Sequence, residues 1–559
     1  MVRHGIVLLG WLLVAPLAFA GLFLEKSVDD WLRQLERASS PAAKRAAVYA
    51  LGRTGQAGSR ALEDLARCVR HERDPGVREM AADSIGAILL SFGEPPGSSW
   101  ERCGEALIIG ARDGDARVRR SCIYALGCAR DVQARATLRK ALGDDSPEVR
   151  RNAAWSLGQL AGDVDDATLT SLRLRLADDE ALVRRDVAQS LMNLAKTVGR
   201  SRLEETGEVL FRMAREDRDL VVRKSALAAL ATIASPAHKG QAESITTLLD
   251  SRDAEVRRAA AFALAPVGGR VAERALPILG SSLADGDPAI QALAAAGLAN
   301  LGPAAASLVD DLAKALTNAS DAIVRRNCAI ALGRMKTNAE PAVPALARAM
   351  RPRPADTTTA PDELRREDEV RYQVAEALSH IGYPANKSAL DAVREAIVSD
   401  PSPDVRLRCI EALFQLREVE IFEKWEFHKA LRKVLAERAP ETKLVRYNAA
   451  RLLAAVYADD APNEVVEVLL QMIADATVRI FYESTANIEG GTTEAGTGST
   501  GVSARTGGSA RFLAAEALGW MSTKSKANPA VMKALRAARG DAEKKLAETA
   551  RAVLKKLGE

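Results

Sequence analysis

An all-α solenoid, a right-handed superhelix of about thirteen to fourteen helical hairpins, is the fold the sequence predicts. Three observations predict it: one motif recurring along the chain, apolar positions at helical spacing in each copy, and a shortage of large rings. Of 559 residues, 47% are hydrophobic and only 4% aromatic, so the core must be built from small aliphatic contacts. Length alone would suggest three or four globular domains. The repeat replaces that inference with one extended array.

The motif is plainest in Ser146-Pro147-Glu148-Val149-Arg150-Arg151-Asn152-Ala153-Ala154-Trp155-Ser156-Leu157-Gly158, which returns as Asp321-Ala322-Ile323-Val324-Arg325-Arg326-Asn327-Cys328-Ala329-Ile330-Ala331-Leu332-Gly333. It recurs around Arg78, Arg119, Arg184, Arg223, Arg257, Arg371, Arg406 and Arg446. Weaker copies stand at Arg45 and Arg511, Gln291 fills the Arg slot once, and a degenerate copy lies near Lys545. Arg45 and Arg446 are 401 residues and eleven steps apart, about 36 residues per repeat.

Each copy reads as the second helix of a hairpin. Asp or Ser stands four residues before the Arg (Asp74, Asp115, Ser146, Asp219, Asp253, Asp321, Ser402), where its oxygen can cap free backbone N–H groups. Pro41, Pro75, Pro147, Pro288 and Pro403 follow, at the first-turn position that tolerates a missing N–H. Apolar residues at minus one, plus three, plus four and plus seven from the Arg form one buried stripe. Gly often closes the unit, as at Gly52, Gly86, Gly127, Gly158, Gly333 and Gly519. Shorter amphipathic stretches such as Ala136 to Leu142 supply the first helices.

At these residues the chain resembles the HEAT repeat family, in particular the short HEAT-like repeats of phycobilin lyases. Asp-x-x-Val-Arg followed by Ala-Ala-x-Ala-Leu-Gly carries the resemblance, from about Glu25 to Glu559. It implies that the recurring Asp and Arg form a structural ladder between neighbouring repeats. It also implies that second helices line a concave face.

On that face, positions plus one and plus five from the Arg lie side by side. They read Arg120/Tyr124, Arg151/Trp155, Arg185/Gln189, Lys224/Ala228, Arg258/Phe262 and Arg326/Ile330, then Tyr372/Glu376, Leu407/Glu411, Tyr447/Arg451 and Phe512/Glu516. The expected partner-binding groove therefore consists of Arg120, Tyr124, Arg151, Trp155, Arg185, Lys224, Arg258, Phe262, Arg326, Tyr372, Tyr447 and Phe512. Its first half would be basic with interspersed rings, its second aromatic with acids. Exposed rings beside Arg suit the anchoring of a partner. The plainer alternative is that these side chains pack on neighbouring helices or are merely solvated.

Residues 1–20 read as a signal peptide or an N-terminal membrane anchor. Arg3 precedes an apolar run from Gly5 to Leu24, and Pro16 precedes Ala18-Phe19-Ala20, a small-x-small pattern. Cleavage after Ala20 is favoured over an uncleaved tether formed by residues 5–24, and either predicts an exported body in the cell envelope, periplasmic or extracellular. No comparable apolar run follows. The array proper is expected over residues 21–559, with loop insertions near 92–100, 351–362 and 484–509. The last is rich in Gly, Thr and Ser and is either an idle surface loop or one that orders over a partner. Asp475-Ala476-Thr477-Val478-Arg479 before it is expected to begin a second helix.

Catalytic, cofactor-binding and metal-ligating residues are all expected to be absent. The five His are isolated, and only His71-Glu72 resembles the His-Glu pairs that deoxyhypusine hydroxylase uses for iron. There is no P-loop, nucleophile elbow or dinucleotide fingerprint. The net charge of +4, from 78 basic and 74 acidic residues, lacks the footprint of a nucleic-acid binder. Cys122, Cys328 and Cys409 fall at the plus-three core position, while a Cys68–Cys103 bridge is an option in an oxidising compartment. The expected function is a non-catalytic scaffold for a protein or extended peptide. A lyase-type HEAT enzyme or a polyanion-binding module is the alternative.

Overall fold

The computed structural model describes residues 26–92, 97–160, 164–353, 360–382, 387–416, 418–477, 479–482, 506–509 and 511–559. The expected targeting segment, residues 1–20, lies outside them, as do residues 21–25. The chain is an all-α solenoid that divides into two units, Met1–Ala275 and Leu276–Glu559. Among the described residues each unit holds seven helical hairpins, with the second helices packed side by side in chain order.

The second helices form where the sequence places them, for the chemistry expected. Asp74, Asp115, Asp219, Asp253 and Asp321 each accept a backbone N–H of the following turn. Ser146 and Ser402 make no such side-chain bond; the Ser146 hydroxyl donates instead to Glu148 Oε2 at 2.8 Å. The apolar stripe is fully buried: Val149, Ala153, Ala154 and Leu157 beside Arg150, and Val324, Cys328, Ala329 and Leu332 beside Arg325.

The glycines at plus eight do something other than close the helix. A Cβ on Gly127 would lie 2.2 Å from Ser156 Oγ, and one on Gly333 would lie 2.9 Å from Ala377 Cα. The helices run on past both residues. These glycines let adjacent second helices touch through backbone, and buried serines exploit the closeness. Ser84, Ser156 and Ser190 each donate to a carbonyl of the preceding second helix, Val48, Ile123 and Ala154, at 2.7–2.9 Å.

The recurring Arg does form a ladder, but its acid is not the capping residue. Arg78 pairs with both oxygens of Asp113 (2.7 and 2.9 Å), Arg119 with Asp144, Arg150 with Asp178 and Arg184 with Asp217. Each acid lies two residues before the next cap and also accepts that cap residue's N–H, as Asp113 does from Asp115. The Arg Nη1 meanwhile donates to two carbonyls of its own turn, Asp144 and Asp145 in the case of Arg150. Burial alone would raise the carboxyl pKa of Asp113, Asp144, Asp178 and Asp217; the facing guanidinium outweighs it and holds each below the ordinary value. The second unit repeats the device at Arg371–Asp400 and Arg511–Asp541, and shifts the acid to Glu367 for Arg325 and to Glu437 for Arg406.

The insertions differ from expectation in two places. Of the loop expected at 92–100, residues 93–96 lie outside the described residues and Gly97 already starts a helix. Buried Trp100 fixes that first turn, donating its Nε1–H to Asp131 at 3.1 Å. Of 351–362, residues 354–359 lie outside, and Pro361 with Asp362 and Glu363 opens the 21-residue helix Pro361–Ile381. In the third, Asp475 does accept the Thr477 N–H as a cap would, but Arg479–Tyr482 is a strand rather than a helix. It pairs antiparallel with Thr506–Ser509, and residues 483–505 between them lie outside the described residues. An Ala-rich stretch, Pro288–Asn318, is apolar enough to cross a membrane by composition. It is two helices broken at Gly302, whose φ is +53°, and most of it is buried as core.

Candidate partner-binding face

The plus-one and plus-five side chains do share a face within each unit, but the expected basic stripe is internally paired. In the first unit Arg120 donates to Glu79 at 2.7 Å, Arg151 to Asp186 at 2.9 Å and Arg185 to the same Asp186 at 2.7 Å. Lys224 reaches Asp253 at 3.0 Å and Glu255 at 2.6 Å. The Glu255 and Asp253 contacts raise the Lys224 pKa, keeping it charged. Arg258 and Phe262 are half-buried on the same face. In the second unit Arg326 is paired with Glu369 at 3.0 Å. Arg120, Arg151, Lys224 and Arg326 thus form a second row of cross-repeat ion pairs, while Arg185 pairs within its own helix. The stripe is not a free basic surface.

The rings divide into two groups. Tyr124 and Trp155, on neighbouring second helices, stack with centroids 4.9 Å apart and planes inclined by 26°, and both remain partly exposed. Tyr372 is also partly exposed, with the Arg408 guanidinium 5.7 Å from its ring centre and Arg408 held by Glu376 at 3.0 Å. Tyr447 and Phe512 do not line an open face and are corrected here to core positions. Tyr447 is 2% exposed with its hydroxyl donating to Asp475 at 3.2 Å, and Phe512 is 8% exposed under Lys545 Nζ, 4.0 Å from its centroid. Burial, with Asp475 beside it, pushes the Tyr447 phenol up to about 12.

Two members of the face are missing from the sequence reading. Glu79 and Asp83 occupy plus one and plus five of the Arg78 copy, directly before the Arg120/Tyr124 pair. Burial pushes the Asp83 carboxyl up to about 6, against the pull of Ser121 and Arg120. Ser121 itself is 1% exposed and its hydroxyl completes no hydrogen bond of good geometry. Extending the same register one copy earlier would have found both acids.

Among the described residues no group of three His, Cys, Asp or Glu is placed to hold a metal ion. His238 is a buried brace, its Nε2 on the Glu204 carbonyl at 2.9 Å and its Nδ1 accepting the Ser235 N–H at 3.1 Å. Cys68 and Cys103 are free thiols, so the bridge considered between them does not form; Cys103 Sγ donates to the Leu62 carbonyl at 3.2 Å.

With the ladder, the stripe and the stacked rings in place, family comparison becomes informative. A model of HEAT repeats matches residues 21–95, 104–192 and 276–360, and one of the PBS lyase HEAT-like repeat matches 256–285. Over these residues the chain carries HEAT repeats. Among curated proteins, none matches this HEAT array in sequence. Of solved structures, importin beta is similar over 95% of this chain and 84% of its own, at 13% identity and a TM-score of 0.49. A structure of Kap95p with RanGDP aligns over 98% of this chain and 78% of its own, at 13% identity and a TM-score of 0.44. An engineered protein aligns over 70% of this chain and 99% of its own, at 20% identity and a TM-score of 0.39. In this HEAT array Arg78, Arg119, Arg150, Arg184, Arg325, Arg371, Arg406 and Arg511 are spent on holding repeats together, and the Tyr124–Trp155 pair stands beside that ladder as a partly exposed surface feature.

Proposed function

We propose that the protein is an exported, non-catalytic scaffold whose N-terminal unit binds an extended protein segment on the second-helix face around Tyr124 and Trp155. The stacked ring pair carries this reading. Two large rings left partly open across a repeat junction offer rigid, amphipathic area of the kind that anchors partners. The surrounding Arg side chains, each already paired with an acid of the chain, would orient such a segment rather than attract a polyanion. Those internal pairs weigh against the polyanion-binding alternative. The Arg3-headed apolar run of residues 5–24 supports placement in the envelope.

The test is a Tyr124→Ala/Trp155→Ala variant in affinity capture from an envelope fraction, with fractionation of the tagged chain alongside. Loss of the captured partners, at a cost near 2 kcal/mol per anchor ring, is expected. Recovery of the same partners at the same yield sinks the reading.

A further inference from the structure

Away from the ring pair, a cleft of about 420 Å³ opens where the helices Leu62–His71 and Gly97–Gly110 end and Pro75–Leu89 begins. Val69, Ile108 and Ile109 form its apolar side, and Ile109 is 57% exposed. Its charged side holds two acids and three arginines. The acids are already committed: Asp113 to Arg78 at 2.7 Å, and Glu72 to Lys44 at 2.6 Å. Arg70 gives its Nη2 to Glu105 at 3.1 Å and to the Arg102 carbonyl at 3.2 Å, but its Nε–H is buried with no acceptor. Arg112 is exposed and forms no ion pair among the described residues. What remains uncommitted in the cleft is therefore positive, and it sits beside bare aliphatic surface.

The combination of the two arginines does not recur at the following junctions, although Arg215 and Arg539 stand at the Arg70 place of later copies. At the place of Arg70, two residues before the ladder acid, the next copies carry Ala111, Leu142 and Leu176. At the place of Arg112 the following copies carry Gly143 and Ala177. The repeat needs neither arginine. The uncommitted charge that the cleft opens to solvent is the Arg112 guanidinium, which suits an anionic acceptor.

We propose that this cleft binds the C-terminal end of a peptide chain whose last residue is apolar. The α-carboxylate would accept from the Arg112 guanidinium, with the Arg70 side chain, 29% exposed, adding positive charge beside it, and the terminal side chain would lie on Val69, Ile108 and Ile109. A chain end joins a carboxylate and an apolar body at a single residue, which an internal Asp or Glu does not. The volume accommodates about one or two residues of such an end. The cleft shares no residue with the Tyr124–Trp155 face, so the two readings stand or fall separately.

Fluorescence anisotropy on the full chain tests it. The probe is a fluorescein-labelled glycine–serine hexapeptide ending in leucine, as free acid and as C-terminal amide. Saturable binding of the acid is expected, weakened about tenfold or more by amidation and by Arg112→Ala, and several-fold by Ile109→Ser. Arg112→Lys should restore part of the loss, because it keeps the charge without the fork. Both substituted side chains are exposed, and unchanged thermal melts would show that the fold survives. Absence of saturable binding by the acid overturns the proposal. So does equal binding of acid and amide, or undiminished binding to Arg112→Ala.

Discussion

Gly127 lies so close to Ser156 that a methyl group on it would overlap both the hydroxyl and the Cα of the serine, at 2.2 and 2.8 Å. Ser156 cannot simply turn away, because its hydroxyl is bonded to the Ile123 carbonyl at 2.9 Å. Gly127→Ala should therefore pry two second helices apart and cost about 1–3 kcal/mol. Gly143→Ala, whose nearest obstacle is the Lys140 carbonyl at 3.5 Å, should change stability by less than about 0.5 kcal/mol. Hydrogen exchange across residues 116–159 is the measurement to use, since a repeat array need not unfold in one step.

The ladder predicts a severe effect from a single truncation. Arg150→Ala strands Asp178, whose side chain is only 2% exposed, and should cost about 3–5 kcal/mol. Asp178→Ala in the same chain should recover part of that loss, because the uncompensated charge disappears. Urea denaturation of the two single variants and the double variant closes the cycle. Additive losses would show that the pair does not act as a unit.

Acid should attack the same ladder. Asp113, Asp144, Asp178 and Asp217 titrate lower in the folded chain than in the unfolded one. Their contribution is complete above the unfolded carboxyl pKa, about 4, and is lost as pH falls through the lowered folded values. In an Asp83→Asn background, which removes a buried carboxyl of opposite sign, denaturation midpoints should be flat from neutral pH down to about 4 and drop below it.

Asp83 has the opposite sign. Its folded pKa, pushed up to about 6 by burial, means that the folded chain holds this proton more tightly than the unfolded one. The associated stability is fully present below about pH 4 and is lost as pH rises through about 6. Asp83→Asn should thus equal the parent at pH 4 and exceed it at pH 7.5 by an amount on the order of 1–3 kcal/mol. Equal stability of the two chains at pH 7.5 would contradict the assignment.

The cysteines should be inert in the folded chain. Burial pushes the Cys328 thiol up to about 12 and the Cys122 and Cys409 thiols higher still. Iodoacetamide at pH 8 followed by mass spectrometry should leave all three unmodified until denaturant is added.

Much of the array was legible because its signals are local. Val149, Ala153, Ala154 and Leu157 announce a helix and its buried side within nine residues. What was not legible depends on partners a full repeat away. Asp178 and Glu180 both stand ahead of Arg184, and only the fold decides that Asp178 receives Arg150. Arg120 looks free in sequence because Glu79, its partner, lies 41 positions earlier. Tyr447 and Phe512 occupy the same plus-one register as Arg151, yet neighbouring side chains cover them. At Asp475 the local cap was read correctly, but nothing within a few residues revealed that the chain would leave as a strand.

Arg511 gives that last departure a wider meaning. Its Nε–H donates across the insertion to the Ile473 carbonyl at 2.6 Å, while its Nη2 holds Asp541 at 2.7 Å. Together with the strand pair beginning at Arg479 and ending at Ser509, this fastens the outgoing and returning chain at one point. The stack is thereby made indifferent to how much polypeptide lies in between.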